Sequence, residues 1–296
     1  MDKAISPIKE LAGRLKHLYP AYFISIVSLV MLYSATWFHW NPVAWILSED
    51  SHFTSLITEL LCIQVSGIGG LKYVNGPVWY VSALLLSTGI IILFNKLLPK
   101  YFFKAFIAMG TAVIYGLFYI YDPSMNSAGF FVSSRIPSPL LRGIAGVGLG
   151  CCLYWVYQKY QNRNFNYKWL NYVSGISCLL VVLPLIWTEP GRSNYLLFFP
   201  ASVCILSMFW LGNNGKFPIL NSKFVQYMGK ISYAFFVMQS FSQNFVSIIL
   251  TRWSSNHFVL TVMYLGVNFL LSTILYFLTE TDGRRRSKWS KNTNRQ

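Results

Sequence analysis

Charge is scarce in this chain, and acidic charge is scarcest. Only 11% of the 296 residues are Asp, Glu, Lys or Arg, and nine are acidic: Asp2, Glu10, Glu49, Asp50, Glu59, Asp122, Glu189, Glu280 and Asp282. None lies at the centre of a long apolar run. Ion-coupled carriers usually keep a carboxylate inside the membrane, where it is expensive and therefore functional. A carrier role would rest on Glu59 alone, which argues against that class. The five cysteines, Cys62, Cys151, Cys152, Cys178 and Cys204, contain no Cys-x-x-Cys pair. A zinc site or disulfide framework lacks its usual spacing, and the expectation is five small buried hydrophobes. Strand-length alternation is missing, which argues against an outer-membrane barrel. Residues 1–18 are basic but have no apolar core, and no small-residue cleavage site follows, so no signal peptide is expected to be removed. Internal repeats, low-complexity runs and long hydrophilic stretches are also absent.

What fills the chain instead is apolar: 54% hydrophobic residues, 18% aromatics and a mean hydropathy of +0.46. Phe, Leu, Ile and Val recur in blocks of roughly 17 to 25 residues, the length a helix needs to cross a hydrocarbon core. The pattern predicts spanning helices near 20–38, 77–95, 105–121, 139–158, 169–187, 195–211, 231–250 and 257–279. A ninth apolar stretch, 54–70, is shorter, contains Glu59 and ends in Gly67, Ile68, Gly69 and Gly70.

The net charge of +15 is dispersed in short gaps between these blocks rather than gathered on one face, so no nucleic-acid partner is expected. Basic residues instead report topology. If 54–70 does not cross, 19 of the 24 Lys and Arg fall on one side. These are the basic residues of the N-terminus, the groups around Lys100, Arg163 and Lys223, and those of the tail. Lys72, Arg135, Arg142, Arg192 and Arg252 remain outside. If 54–70 crossed, that bias would collapse. The expected fold is therefore all-α: a multi-pass transmembrane helical bundle of about eight spanning helices plus one re-entrant or interfacial segment. It forms a single domain over 1–296 with a basic cytoplasmic tail at 281–296, both ends being cytoplasmic.

Four units carry candidate chemistry. Arg14-Leu-Lys16-His17-Leu-Tyr-Pro20 precedes the first span, with Pro20 suited to an opening turn. Arg14 and Lys16 are either ordinary membrane anchors or fixed cations for a phosphate-bearing donor. Asn75-Gly-Pro-Val-Trp79-Tyr80-Val-Ser82 reads as a turn and helix start. Its Trp79 and Tyr80 form an aromatic belt or an acceptor platform, with Ser82 one turn deeper. Leu140 to Gly150 sets Arg142 inside a helix end, where it snorkels or faces a water-filled cavity, and Gly146 and Gly150 offer a small-xxx-small packing face. Gly229-Lys-Ile-Ser232-Tyr233 through Gln239 places Ser232, Tyr233 and Gln239 within the bundle, where interhelical hydrogen bonding accounts for them without catalysis.

Taken in order, these units resemble the acyltransferase 3 family of bacterial membrane O-acyltransferases. Arg14 to Pro20 resembles that family's basic, Leu-Tyr-Pro approach to a membrane helix, and Asn75 to Ser82 its Gly-Pro-Leu-Trp-Tyr-Leu-Ser unit. Leu141 to Gly150 resembles its Arg- and Gly-rich helix, and Gly229 to Gln239 its Gly-Lys-Ile-Ser-Tyr ending. The resemblance implies an acyltransferase of the bacterial cytoplasmic membrane. Such an enzyme moves an acyl group, typically acetyl, from acyl-CoA to a hydroxyl of a cell-envelope polysaccharide or lipid-linked sugar. Acyl-CoA is then a donor substrate held by Arg14 and Lys16, and no cofactor or metal is implied. Trp79, Tyr80, Ser82, Arg142, Ser232, Tyr233 and Gln239 line the interior or acceptor side.

A sugar hydroxyl is a poor nucleophile and needs a base of near-neutral pKa, usually His. The family's two earlier helices, the first bearing an Arg and a His, have no counterpart here, and Gln239 stands where the last unit commonly has His. Three readings follow: a chain truncated ahead of its base, which is the expectation; an inactive remnant or accessory; or His39 or His52 as substitute. The competing class is a non-enzymatic protein that binds or translocates a lipid-linked glycan, and a structural partner of an envelope assembly is a third.

Overall fold

The structure, a computed structural model, describes residues 7–68, 73–121, 130–131, 136–163, 166–187, 197–213, 222–250 and 256–293. Gly69 and Gly70, and the charges Asp2, Lys3, Lys72, Asp122, Arg135, Glu189, Arg192, Lys216, Arg252 and Arg295 used above, lie outside the described residues. The chain divides into two compact units, one of Met1–Leu85 with Gln226–Gln296 and the other of Leu86–Val225.

In the first unit α1 runs from Pro7 to Trp37. The expectation that Pro20 opens this helix is corrected: Pro7 does so, and Pro20 lies inside. The cause is the stretch 8–19, dense in good helix formers, which extends the helix back to a proline whose fixed φ suits a first turn. Pro20 then removes one backbone donor from the helix interior. After α1 the chain reverses through His39 and Trp40, both with positive φ, and Trp40 N donates to Ser34 O. Helix α2 (Pro42–Leu47) is capped by Asn41, whose side-chain oxygen accepts from Ala44 N at 3.0 Å. Helix α3 (Asp50–Leu60) has eleven residues, about 16 Å, half the thickness of a hydrocarbon core. It closes with Cys62 N on Glu59 O, which puts Cys62 at φ 54°, and a 3₁₀ turn follows at Gln64–Ser66. Residues 54–68, the described part of the stretch 54–70, are thus a broken segment and not one continuous helix.

A 3₁₀ turn at Gly76–Val78 leads into α4 (Trp79–Leu97), as the Asn-Gly-Pro sequence predicts. The first unit's core joins Tyr22, Ile26 and Val30 of α1 to Val78, Val81 and Leu85. It also includes Ile231, Ala234, Val237 and Met238, together with Leu275 and Tyr276. The latter belong to α9 (Lys223–Phe245, prolonged by a π-helical turn at Val246–Leu250) and α10 (His257–Thr293).

The second unit holds α5 (Lys100–Tyr121), α6 (Ser138–Tyr160), α7 (Tyr167–Trp187) and α8 (Phe198–Asn213). Before α6, two residue pairs, Phe130 with Pro137 and Phe131 with Ile136, form a minimal antiparallel ribbon, β1 and β2. Helix α5 packs on α6 and α7 on α8. The close-packing glycine of α6 is Gly148, where an added Cβ would strike Thr111 of α5. Gly146 and Gly150, expected in that role, have no heavy atom within 4 Å of such a Cβ. Two residues of helix turn a side chain to the opposite face, so the buried surface follows Ala145 and Gly148 instead.

Each of the eight predicted segments is helical. Among the described residues, five helices are long and apolar enough to cross a membrane: Leu11–Trp37, Gly76–Leu97, Lys100–Tyr121, Ser138–Tyr160 and His257–Thr279. Their outward faces carry large apolar side chains such as Phe102, Met109 and Phe258. This is a membrane protein whose helices use lipid as solvent. Of the cysteines, Cys62 and Cys204 are buried, while Cys151, Cys152 and Cys178 are only half-buried, correcting the expectation of five buried residues.

Candidate functional site

The first unit is organised around a buried carboxyl. Glu59, fully withdrawn from solvent, accepts from Val74 N at 2.6 Å and Asn75 N at 3.1 Å. Its backbone carbonyl accepts the Tyr22 hydroxyl at 2.7 Å, and Tyr19 OH donates to Leu60 O at 3.0 Å, so α1 grips the end of α3. Gln64 donates to Tyr22 Oη and to Val78 O, and Asn75 donates to Ser25 Oγ and to Val237 O. The Glu59 and Asn75 arms tie the irregular backbone at 74–75 to helices, which is how such backbone is kept inside a membrane protein. Burial drives the Glu59 carboxyl up to about 8, against the opposing pull of the Asn75 and Val74 N–H groups. The same burial pushes up the Cys62 thiol, and it raises the Tyr73 hydroxyl to about 12 with help from Glu59.

Beside this network lies a cavity of about 450 Å³, lined by Tyr33 and Trp37 from α1, Trp45 from α2, Glu49, His52 and Ser55 from the start of α3, and Tyr73 and Val74. Glu59 holds the Val74 side of its wall. Tyr33, Trp45 and His52 form a stack, with ring centroids 5.8 Å and 4.5 Å apart. His52 Nδ1 lies 3.1 Å from Trp45 O and 3.1 Å from Ser48 Oγ, while Nε2 lies 3.8 Å from a Glu49 carboxylate oxygen. A carbonyl accepts only, so this contact is a hydrogen bond when Nδ1 carries the proton, and in that neutral tautomer Nε2 carries the lone pair. The arrangement can take a proton from a hydroxyl, and Glu49 can stabilise the imidazolium that results.

The residues singled out from sequence fall in several places. Arg14 and Lys16 are exposed on the early turns of α1. Trp79 and Tyr80 meet edge to face, and Tyr80 meets Phe236 likewise. Ser82 is fully buried and accepts from Val65 N at 3.5 Å. Tyr233 OH donates to Leu18 O at 3.1 Å, and Ser232 turns its hydroxyl back to Gly229 O. Ser232 and Gln239 are exposed rather than interior. Arg142 is half-buried in α6 of the second unit. None of these lines the His52 cavity. Tyr33, Trp45 and Tyr73 went unremarked in the sequence. The available signal was a His three residues after an acid and seven after a Trp, in a segment too short to cross. His39 sits exposed in the turn after α1, away from the cavity lining.

No protein family, curated protein or solved structure matches this chain.

Proposed function

We propose that the chain is a membrane O-acyltransferase of the bacterial cytoplasmic membrane, with eight spans, cytoplasmic ends and 54–70 as a re-entrant segment on the outer side. The donor is acyl-CoA, typically acetyl-CoA, and the acceptor is a hydroxyl of an envelope polysaccharide or lipid-linked sugar. The observation that carries this reading is the aromatic cavity in which His52 is oriented by Trp45 O and flanked by Glu49. In this reading His52 Nε2 accepts the proton of the sugar hydroxyl as its oxygen attacks the thioester carbon. The imidazolium then returns that proton to the departing thiolate. Trp37, exposed at the cavity wall, supplies an apolar face for a sugar ring, and Arg14 and Lys16 grip the phosphates of the donor.

The test is reconstitution of the purified chain in proteoliposomes with radiolabelled acetyl-CoA and envelope glycan. Label appearing in glycan, and lost on His52→Ala, is the expected result. No transfer to any envelope glycan overturns the reading.

One observation favours a second reading. Twenty-three residues of helix separate Arg14 from Trp37, about 34 Å. A donor whose phosphates are gripped at one end of α1 therefore has to extend its thioester along the bundle to reach His52. A protein that only recognises or translocates a lipid-linked glycan needs no such passage. The two separate on Arg14→Ala: lost acylation with intact glycan export marks the enzyme, and lost export with normal acylation marks the translocator.

A further inference from the structure

The first unit contains a second cavity, of about 530 Å³, where the end of α9 faces the start of α10. Its polar lining is Gln239, Gln243 and Ser247 from α9 and the π-helical turn, and His257, Thr261 and Tyr264 from α10. Each helix presents a polar stripe: i, i+4, i+8 on one and i, i+4, i+7 on the other. The π-helical turn begins at Val246, inside the cavity wall, and such turns recur at functional sites because they re-aim side chains.

These stripes are out of place for a helix that only packs. Gln239 lies eleven residues before the end of the π-helical turn, about 16 Å into the predicted span. A polar side chain at that depth has to face protein, water or ligand. Neither Gln239 nor Gln243 is bonded to protein among the described residues, and both are exposed. The hydrogen bonding that joins α9 to α10 is supplied by Ser242, which donates to Asn268 Oδ1 at 3.0 Å, and by Asn268, which donates to Phe235 O at 3.2 Å. The glutamines are therefore not needed as glue.

We infer that this cavity is a binding site for an uncharged, hydroxyl-rich saccharide unit. Carboxamides and hydroxyls both donate and accept, as sugar hydroxyls do. The described lining has no carboxylate, Lys or Arg to select an ion, and six of its eight residues carry hydrogen-bonding groups that a lipid tail would leave unpaired. Its volume is within the usual range of small-molecule sites. The identity of the occupant rests on the transferase reading, in which this cavity holds a sugar of the acceptor glycan.

The test places Gln239→Cys and Gln243→Cys separately in the full chain, in nanodiscs, and follows labelling by a membrane-impermeant methanethiosulfonate above the background of the parent chain. Maltose, lactose and chitobiose are the probes, with glycerol 3-phosphate as the anionic control. Labelling is expected, and it should slow about tenfold when a saccharide is present at tenfold its Kd. No labelling of either thiol overturns the cavity, and Thr261→Cys replaces a variant that does not fold. Labelling slowed by glycerol 3-phosphate alone, or by none of the probes, overturns the saccharide. Transfer assays keep the two proposals apart. Protection by a saccharide without any acyl transfer sinks the transferase and leaves this site. Transfer whose acceptor KM is unmoved in the Gln239→Leu, Gln243→Leu double variant sinks this site and leaves the transferase. The expected result is a KM raised about tenfold, about 1.4 kcal/mol, with kcat within twofold.

Discussion

The two units bury different chemistry. In the first, Glu59, Gln64, Asn75 and Asn268 are all at 0% exposure, and each bonds across elements. In the second, the withdrawn polar side chains among the described residues are Ser and Thr, such as Ser207, which returns its hydroxyl to its own helix. There, contact between helices is made by small and aromatic residues, Gly148 against Thr111 and Phe103 against Trp155. Lipid removes most of the hydrophobic drive for helices to associate, leaving packing and hydrogen bonds to do it. The second unit uses packing. The first contains non-helical backbone, whose polar groups need partners, and so it requires long polar side chains. The same requirement gives the first unit its polar-lined cavities, and both candidate sites belong to it, whereas the cavity among Leu153, Tyr157, Leu206 and Phe209 of the second unit is walled almost entirely by apolar surface.

The sharpest way to break this contrast is Glu59→Leu. It leaves Val74 N and Asn75 N buried without their acceptor, and a loss of about 2–5 kcal/mol is expected in detergent unfolding. A loss near zero would show that the network is ornamental. His52→Ala should cut acyl transfer about 100-fold or more while leaving the unfolding midpoint in place, since His52 lines a cavity rather than the core. In the second unit, Gly148→Ala should cost about 1–3 kcal/mol by driving a methyl into Thr111. Gly146→Ala, on the open face, should be neutral or stabilising by up to about 1 kcal/mol. Equal effects at the two glycines would remove the packing half of the comparison.

A pH dependence tests the buried carboxyl of the first unit. Glu59 is raised from the ordinary 4.5 to about 8, so the folded state holds its proton more tightly than the unfolded one. Its contribution is fully present below about 4.5 and is lost as pH rises through about 8. Glu59→Gln should flatten that slope, and a slope unchanged in the variant would assign it elsewhere.

The sequence was most legible where composition speaks directly. Apolar runs marked all eight long helices, and Asn75-Gly-Pro marked the start of α4. The Glu59 stretch was readable as shorter than the other apolar runs, and its helix has eleven residues. Legibility failed where the outcome depends on which face a residue turns. Gly146 and Gly150 satisfy a spacing rule, yet Gly148 is the one in contact. Ser232 and Gln239 sit in an apolar run yet are exposed, Gln239 in the wall of the cavity between α9 and α10. Tyr73 and Val74 reach the His52 cavity only because Glu59 holds their strand of backbone, a link fifteen residues long in sequence that no local pattern records.

The sequence alone determined that this chain lives in lipid and where its helices fall, because solvent preference and helix length are summed over many residues and survive local ambiguity. Tertiary structure alone decided which polar side chains meet. It buried Glu59 among backbone donors, brought His52 to Trp45 and Glu49, and set Gln239 and Gln243 in one cavity wall with His257 and Tyr264. Those outcomes turn on the directions of a few side chains across different elements, which hydropathy and spacing do not encode.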